Sequence, residues 1–340
     1  MTTSIAVIGA GSWGTTVAMM AAQSQPTLLW ARDNVLVEAM LDQRRNPRYV
    51  SDCSFPDGLA VTGDLHQAVE HATLVFLAVP SHGARAVLKD LASALKPGVG
   101  VVSLSKGLEQ ESLLRITQVI EACAPQVIPA VLTGPNIAQE IAMGQPAGSV
   151  VASDDDATSA SVQALFEGSN LRVYTSTDIT GCEVAGVTKN VLAIASGIVD
   201  GLGFGDNARA ILLTRGLAEM SRLGVAAGGK ARTFGGLAGV GDLMVTSMSA
   251  QSRNRRVGVE LGSGRDLAHI IAETPMVAEG VRSAAPLVAM ARDLGVELPI
   301  VERILDIIEG RLTPLQAVRQ LMERPAGGEW DAMGDLGFSN

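Results

Sequence analysis

Short apolar runs, each closed by glycine, proline or a polar turn, alternate with stretches at helical spacing through the first half of the chain. Ile5–Ile8, Pro26–Ala31, Leu74–Pro80, Val99–Leu104 and Ala130–Leu132 read as strands. Unbroken apolar runs of this kind suit strands buried on both faces of a parallel sheet. Gly148–Ala152 and Leu171–Tyr174 read as two more, flanking a helix that begins at Asp154-Asp155-Asp156, where acidic side chains favour a helix start. From about Thr177 the texture changes to Ala-, Leu- and Val-rich segments at helical period, separated by glycine clusters and without strand alternation. The pattern predicts a first domain over 1–177, an all-helical domain over 178–324, and a tail over 325–340 that lacks periodicity and is expected to be mobile.

The first strand hands over to Gly9-Ala10-Gly11-Ser12-Trp13-Gly14 and then to an Ala-rich helical run. Gly9, Gly11 and Gly14 stand at the G-x-G-x-x-G spacing, for a tight turn, for close approach of a pyrophosphate and for helix-on-strand packing. The helix N-terminus behind them offers free N–H groups and partial positive charge. A glycine-rich turn without a ligand is the alternative. The fold expected is α/β: an N-terminal Rossmann-type, doubly wound, mainly parallel sheet followed by an all-α C-terminal domain, with ligands outside the carboxyl ends of the strands. Arg32-Asp33 ends the second strand, where the adenosine ribose of a dinucleotide would lie. An arginine there suits the extra phosphate of NADP and an acidic residue the ribose hydroxyls of NAD. Arg32 comes first and favours NADP, Asp33 keeps NAD open, and a solvated turn charge is the plain alternative for either.

Composition narrows the class. The net charge of −9 and scarce aromatics argue against nucleic acid or anionic membrane as a partner. No apolar stretch reaches the roughly 18 residues of a membrane span before Lys, Asp, Gly or Pro interrupts it. Met1-Thr2-Thr3-Ser4 runs straight into the first strand with no room for a leader, so a cytoplasmic protein is expected. Cys53, Cys123 and Cys182, odd in number and far apart, read as buried reduced thiols. The four histidines lack metal-ligand spacing and no nucleophile elbow is present, which disfavours zinc or hydrolytic chemistry.

The helical half holds polar residues that packing does not explain. On a helix, Lys189 neighbours Ala185, Gly186, Ala193 and Ser196, all small, so a ligand or another backbone can come close. Burial there would lower the lysine's proton affinity towards neutrality, as proton transfer requires. A lysine snorkelling along an apolar helix is the alternative. Asp242 closes the glycine-rich run Gly235–Gly241, either as a partner of the lysine or a substrate hydroxyl, or as a helix N-cap. Ser252-Arg253-Asn254-Arg255-Arg256 offers a capping hydroxyl and three guanidinium groups at a helix start, which fits a phosphate or, more plainly, a solvated basic face.

Together GAGSWGT, LWARD, SLSKGLE around Lys106, TGPNIA around Gly134, VTKNVLAIASGIVDGLGFGDNARA around Lys189, GLAGVGDLMVTS around Asp242, SRNRRVG around Arg253 and MVAEGVRSA around Glu279 resemble the bacterial-type NAD(P)-dependent glycerol-3-phosphate dehydrogenases. The resemblance runs from about Ser4 to Met322. It implies reversible reduction of dihydroxyacetone phosphate to sn-glycerol 3-phosphate for phospholipid synthesis, by a homodimer. It implies Lys189 as the proton-transfer residue, with Lys106, Asn190 and Asp242 beside it in catalysis. It implies substrate contacts from Lys106, Gly134, Asn136, Lys189, Asp242, Ser252, Arg253 and Asn254. Cofactor contacts are implied for Ser12, Trp13, Arg32, Tyr49, Lys106, Ala138, Arg253, Val277 and Glu279, besides the glycines. Many members carry serine where this chain has Asn136, so the reach of that contact differs. Reductases of carboxylate substrates with the same two-domain plan, and a non-catalytic NADPH sensor, are the rival readings.

Overall fold

The computed structural model describes residues 4–273, 278–325 and 327–329. Val277 and Trp330–Asn340, and with them one expected cofactor contact and most of the expected tail, lie outside the described residues. The chain divides into two compact units. One comprises Met1–Ser105 and Leu114–Ile179, the other Lys106–Leu113 and Thr180–Asn340. The segment Lys106–Leu113, expected within the first domain, therefore folds with the helical unit. Leu108, 3% exposed, anchors it there in a core with Val184, Val187 and Val191.

The first unit is built on β1 (Ile5–Ile8), β2 (Thr27–Trp30), β3 (Arg45–Asn46), β4 (Val50–Ser54), β5 (Leu59–Thr62), β6 (Leu74–Leu77), β7 (Gly100–Ser103), β8 (Ile128–Thr133), β9 (Ala147–Ser153) and β10 (Leu171–Ser176). Eight of these form one sheet in the order β10-β9-β8-β7-β6-β1-β2-β5, while β3 and β4 make a separate antiparallel ribbon. All sheet pairings are parallel except β8 with β9. Strands β1, β6 and β7 are buried along their whole length, because helices cover both faces of a sheet wound this way. The helix after the acidic triplet spans Asp156–Leu165, and Asp155 caps it by accepting from Thr158 N at 2.7 Å.

The second unit is helical. Its central helix, Ile179–Gly201, corrects the count of membrane-length stretches: an 18-residue window has a mean hydropathy of 1.4. That window is wholly buried, so its apolarity serves the protein's own core. Glycines let backbones touch where this helix meets Arg253–Gly262: a Cβ at Gly197 would lie 2.0 Å from Arg255 O, and one at Gly258 2.0 Å from Ile194 O. The helix Glu279–Asp293 closes on the same place, with Gly280 against the carbonyl of Asn190. The cysteines are free, but Cys53 and Cys123 are only partly buried, against the expectation for all three.

Candidate active site

In the first unit the glycine turn has the geometry its spacing implies. Gly9 takes φ +117°, and a Cβ there would lie 2.7 Å from Ala78 O. At Gly14 a Cβ would lie 2.0 Å from Gly9 O, so the helix Ser12–Ala21 sits directly on the turn. Gly11 differs: a Cβ there would meet nothing within 4 Å, which leaves open space beside the backbone. Gly11 is also the N-cap residue and supplies no side-chain acceptor to the first-turn N–H groups. Beside them Trp13 Nε1 is buried without a hydrogen-bond partner. Unfilled space, uncapped N–H groups and an orphaned donor fit a dinucleotide pyrophosphate.

Around that turn, Thr16 donates to Ala138 O at 3.1 Å, which ties the segment after β8 to the glycine helix. Gly134 holds φ +140° against Gly148 and Ser149. Asn136 Oδ1 accepts from Ser149 Oγ at 2.7 Å, while its Nδ2 is buried without a hydrogen-bond partner, so the amide keeps a donor. Tyr49 packs on the sheet's core, and Arg32 is exposed at the end of β2.

The second unit gathers the polar residues of five segments of the sequence. Asp242 is 1% exposed and Lys189 6% exposed. Asp242 Oδ2 accepts from Lys106 Nζ at 2.6 Å, and Oδ1 lies 3.1 Å from Lys189 Nζ. Lys189 Nζ also donates to Thr246 Oγ1 at 2.7 Å, and Thr246 in turn donates to Asp242 Oδ1 at 3.0 Å. Burial pulls the Lys189 ammonium down to about 8, against the nearby Asp242 carboxylate and with the help of the Lys106 charge. For Asp242 burial pushes upward, but the Lys106 and Lys189 charges outweigh it and hold the carboxyl below its usual value. Both groups therefore stay ionised at neutral pH, with Lys189 within easy reach of losing its proton.

Asp242 is not an N-cap, a position that Gly241 holds. It is the first residue of the helix Asp242–Met248, directly after a π-helical turn at Leu237–Gly241, an irregularity that turns its carboxylate inward to the lysines. Asn190 Nδ2 donates to Lys106 O at 3.0 Å and Asn190 Oδ1 accepts from Asn254 Nδ2 at 2.9 Å, while Asn254 Oδ1 accepts from Gly280 N at 3.0 Å. Both ends of the Asn254 amide are thus held by the protein, Nδ2 on Asn190 and Oδ1 by Gly280 N. Ser252 caps that helix by accepting from Arg255 N at 3.2 Å. Arg253 and Arg256 are exposed at its start, whereas Arg255 turns away to pair with Asp200 at 2.7 Å. Glu279 begins its helix, and its charge supports the Lys189 ammonium. Thr246 was missed by the sequence reading, although its place four residues after Asp242 puts it on the same helix face.

A phosphate-receptive glycine turn and an amine that exchanges its proton near neutrality are the equipment of a dinucleotide-dependent oxidoreductase. Comparison with known proteins narrows that class. Residues 4–159 match the N-terminal part, and residues 178–319 the C-terminal part, of the NAD-dependent glycerol-3-phosphate dehydrogenase family. A glycerol-3-phosphate dehydrogenase [NAD(P)+] of Sphingopyxis alaskensis is 46% identical over 96% of this chain and 98% of its own length. One of Mycobacterium tuberculosis is 45% identical over 96% of each chain. The crystal structure of the Coxiella burnetii glycerol-3-phosphate dehydrogenase superposes with a TM-score of 0.91 at 36% identity, covering 95% of this chain and 99% of that one. The chain belongs to the NAD(P)-dependent glycerol-3-phosphate dehydrogenases.

Proposed function

We propose that this chain reversibly reduces dihydroxyacetone phosphate to sn-glycerol 3-phosphate, with NADPH preferred over NADH, supplying glycerol phosphate for phospholipid synthesis. The observation that carries the reading is the buried Lys189 amine, brought down to about 8 and held by Asp242 and Thr246. The nicotinamide, when bound, supplies or accepts the hydride. Lys189 gives its proton to the ketone oxygen in reduction and takes it back from the alcohol in oxidation. The ammonium groups of Lys106 and Lys189, both on Asp242, supply positive charge that would stabilise the alkoxide as it forms. Asn190 positions Lys106 through its carbonyl. Arg253 and the N–H groups of its helix start take the phosphate, with Ser252 and Asn254 shaping that turn. Gly134 and Asn136 are assigned to substrate as well, the buried Asn136 amide being the free donor. Gly9, Gly11, Ser12, Trp13, Gly14, Arg32, Tyr49 and Ala138 are assigned to the cofactor, with Lys106, Arg253, Val277 and Glu279 as further contacts. NADPH and NADH absorbance followed with dihydroxyacetone phosphate, and with unphosphorylated dihydroxyacetone as control, tests substrate and cofactor together. Turnover confined to the phosphorylated ketone is expected. Turnover of a keto acid in its place would overturn the substrate reading. We further propose a cytoplasmic homodimer, supported by the family resemblance; a monomer in sedimentation velocity overturns the dimer.

A further inference from the structure

The carboxyl end of β2 is where a dinucleotide fold reads the adenosine ribose. In this chain the acidic residue at that place is already spent. Asp33 Oδ1 accepts from Val35 N at 3.0 Å and Leu36 N at 3.4 Å, capping the helix Asn34–Gln43. Its other oxygen pairs with Arg48 Nη1 at 2.9 Å. The Arg48 guanidinium and the capping N–H groups hold the Asp33 carboxyl below the usual carboxylate range.

Arg48 is delivered by the turn between β3 and β4, and that turn is fixed. Asn46, fully buried, donates from Nδ2 to Ala10 O at 2.9 Å and to Thr15 Oγ1 at 2.8 Å. Its Oδ1 accepts from Arg48 N at 3.2 Å and Tyr49 N at 3.3 Å. A single buried amide thus clasps the Arg48 turn to the glycine turn. Arg32, the residue before Asp33, is exposed, and Arg48 is half exposed beside the carboxylate it neutralises.

We propose that Arg48 is a specificity-determining residue for the cofactor: by occupying the Asp33 carboxylate it converts an acidic hook for a ribose 2′-hydroxyl into a seat, formed with Arg32, for a 2′-phosphate. The proposal rests on the NADP reading above. An uncompensated Asp33 would repel a phosphate dianion, whereas a guanidinium fork matches its oxygens.

Adenosine 2′,5′-bisphosphate and adenosine 5′-monophosphate differ only in the group at issue, so calorimetric titration of the unliganded full-length protein with each reads the contact without turnover. The wild type is expected to prefer the bisphosphate. Arg48→Ala should cut that preference by about tenfold or more, the scale of a charge-assisted hydrogen bond. Arg48→Lys, which keeps the cation and loses the fork, should fall between the two. In Arg48→Ala/Asp33→Asn part of the preference should return, because the repelling charge is gone while asparagine still caps the helix. An unchanged preference in Arg48→Ala overturns the proposal. A wild type that shows no preference for the bisphosphate, and uses NADH at least as efficiently as NADPH, overturns the NADP reading instead.

Discussion

Lys189 owes its chemistry to a conflict between burial, which expels its proton, and the Asp242 carboxylate, which keeps it. With a value of about 8 the group is protonated below that pH and neutral above it. kcat/KM for ketone reduction should therefore fall as pH rises through about 8, and kcat/KM for alcohol oxidation should climb through the same interval. Lys189→Ala should lower turnover by about 100-fold or more and flatten both limbs, while fluorescence titration finds cofactor binding intact. Limbs that persist in the variant would give the proton to another group. Arg253 is a separate case, because it stands exposed at a helix start. Arg253→Ala should raise KM for dihydroxyacetone phosphate by about 10- to 100-fold, and an unchanged substrate titration would remove the phosphate role. Lysine among small residues and aspartate after a glycine run were legible because each breaks the surrounding pattern. Thr246 and Arg48 were not, since a threonine in a helix and an arginine in a polar turn break none.

At the scale of elements, what could be read was an apolar run closed by a turn. Strands β1, β6 and β7 announce themselves as apolar runs because both faces are covered. Strand β5 offers only Leu59-Ala60-Val61, with Ala60 exposed, and the β3–β4 ribbon carries Ser51, Asp52 and Ser54 to the surface; neither was read as a strand. The site depends on an element contact that periodicity also hides, the glycine crossing of Ile179–Gly201 with Arg253–Gly262. Gly258→Ala would press a methyl to 2.0 Å from the Ile194 carbonyl, and backbone cannot rotate aside as a side chain can. We expect a loss of about 1–3 kcal/mol in denaturant unfolding. A rise in KM for dihydroxyacetone phosphate should accompany it, because the same displacement pulls Asn254, and Arg253 beside it, away from the helix that carries Asn190. A variant with native stability and native KM would mean that the two helices tolerate separation.

Over the whole molecule, membership of a unit does not follow sequence order. Lys106–Leu113 leaves the sheet unit to place Lys106 against Asp242, and nothing in eight residues without periodicity signals that transfer. The same holds for Glu219, on the helix Asp206–Ala226, which is 3% exposed and takes no part in the proposed chemistry. Its carboxylate accepts from Ile300 N at 2.7 Å and Val301 N at 3.2 Å, capping the helix Pro299–Ile308 whose own N-cap residue, Leu298, has no acceptor to offer. Burial pushes the Glu219 carboxyl up to about 7, against those N–H groups and Arg222, with the Glu302 charge adding to the rise. Between the ordinary 4.5 and about 7 the folded chain holds a proton that the unfolded chain has released, so this group lowers stability as pH rises through that window. The full effect, reached above about pH 7, is of the order of 3 kcal/mol. Glu219→Gln removes the titration but leaves one N–H without an acceptor. The variant should be at its worst relative to wild type near pH 4.5 and gain on it steadily up to about pH 7. Thermal melts across that range read the difference directly. Two melting curves that stay parallel with pH would show that the Glu219 carboxyl titrates in the fold as it does in water.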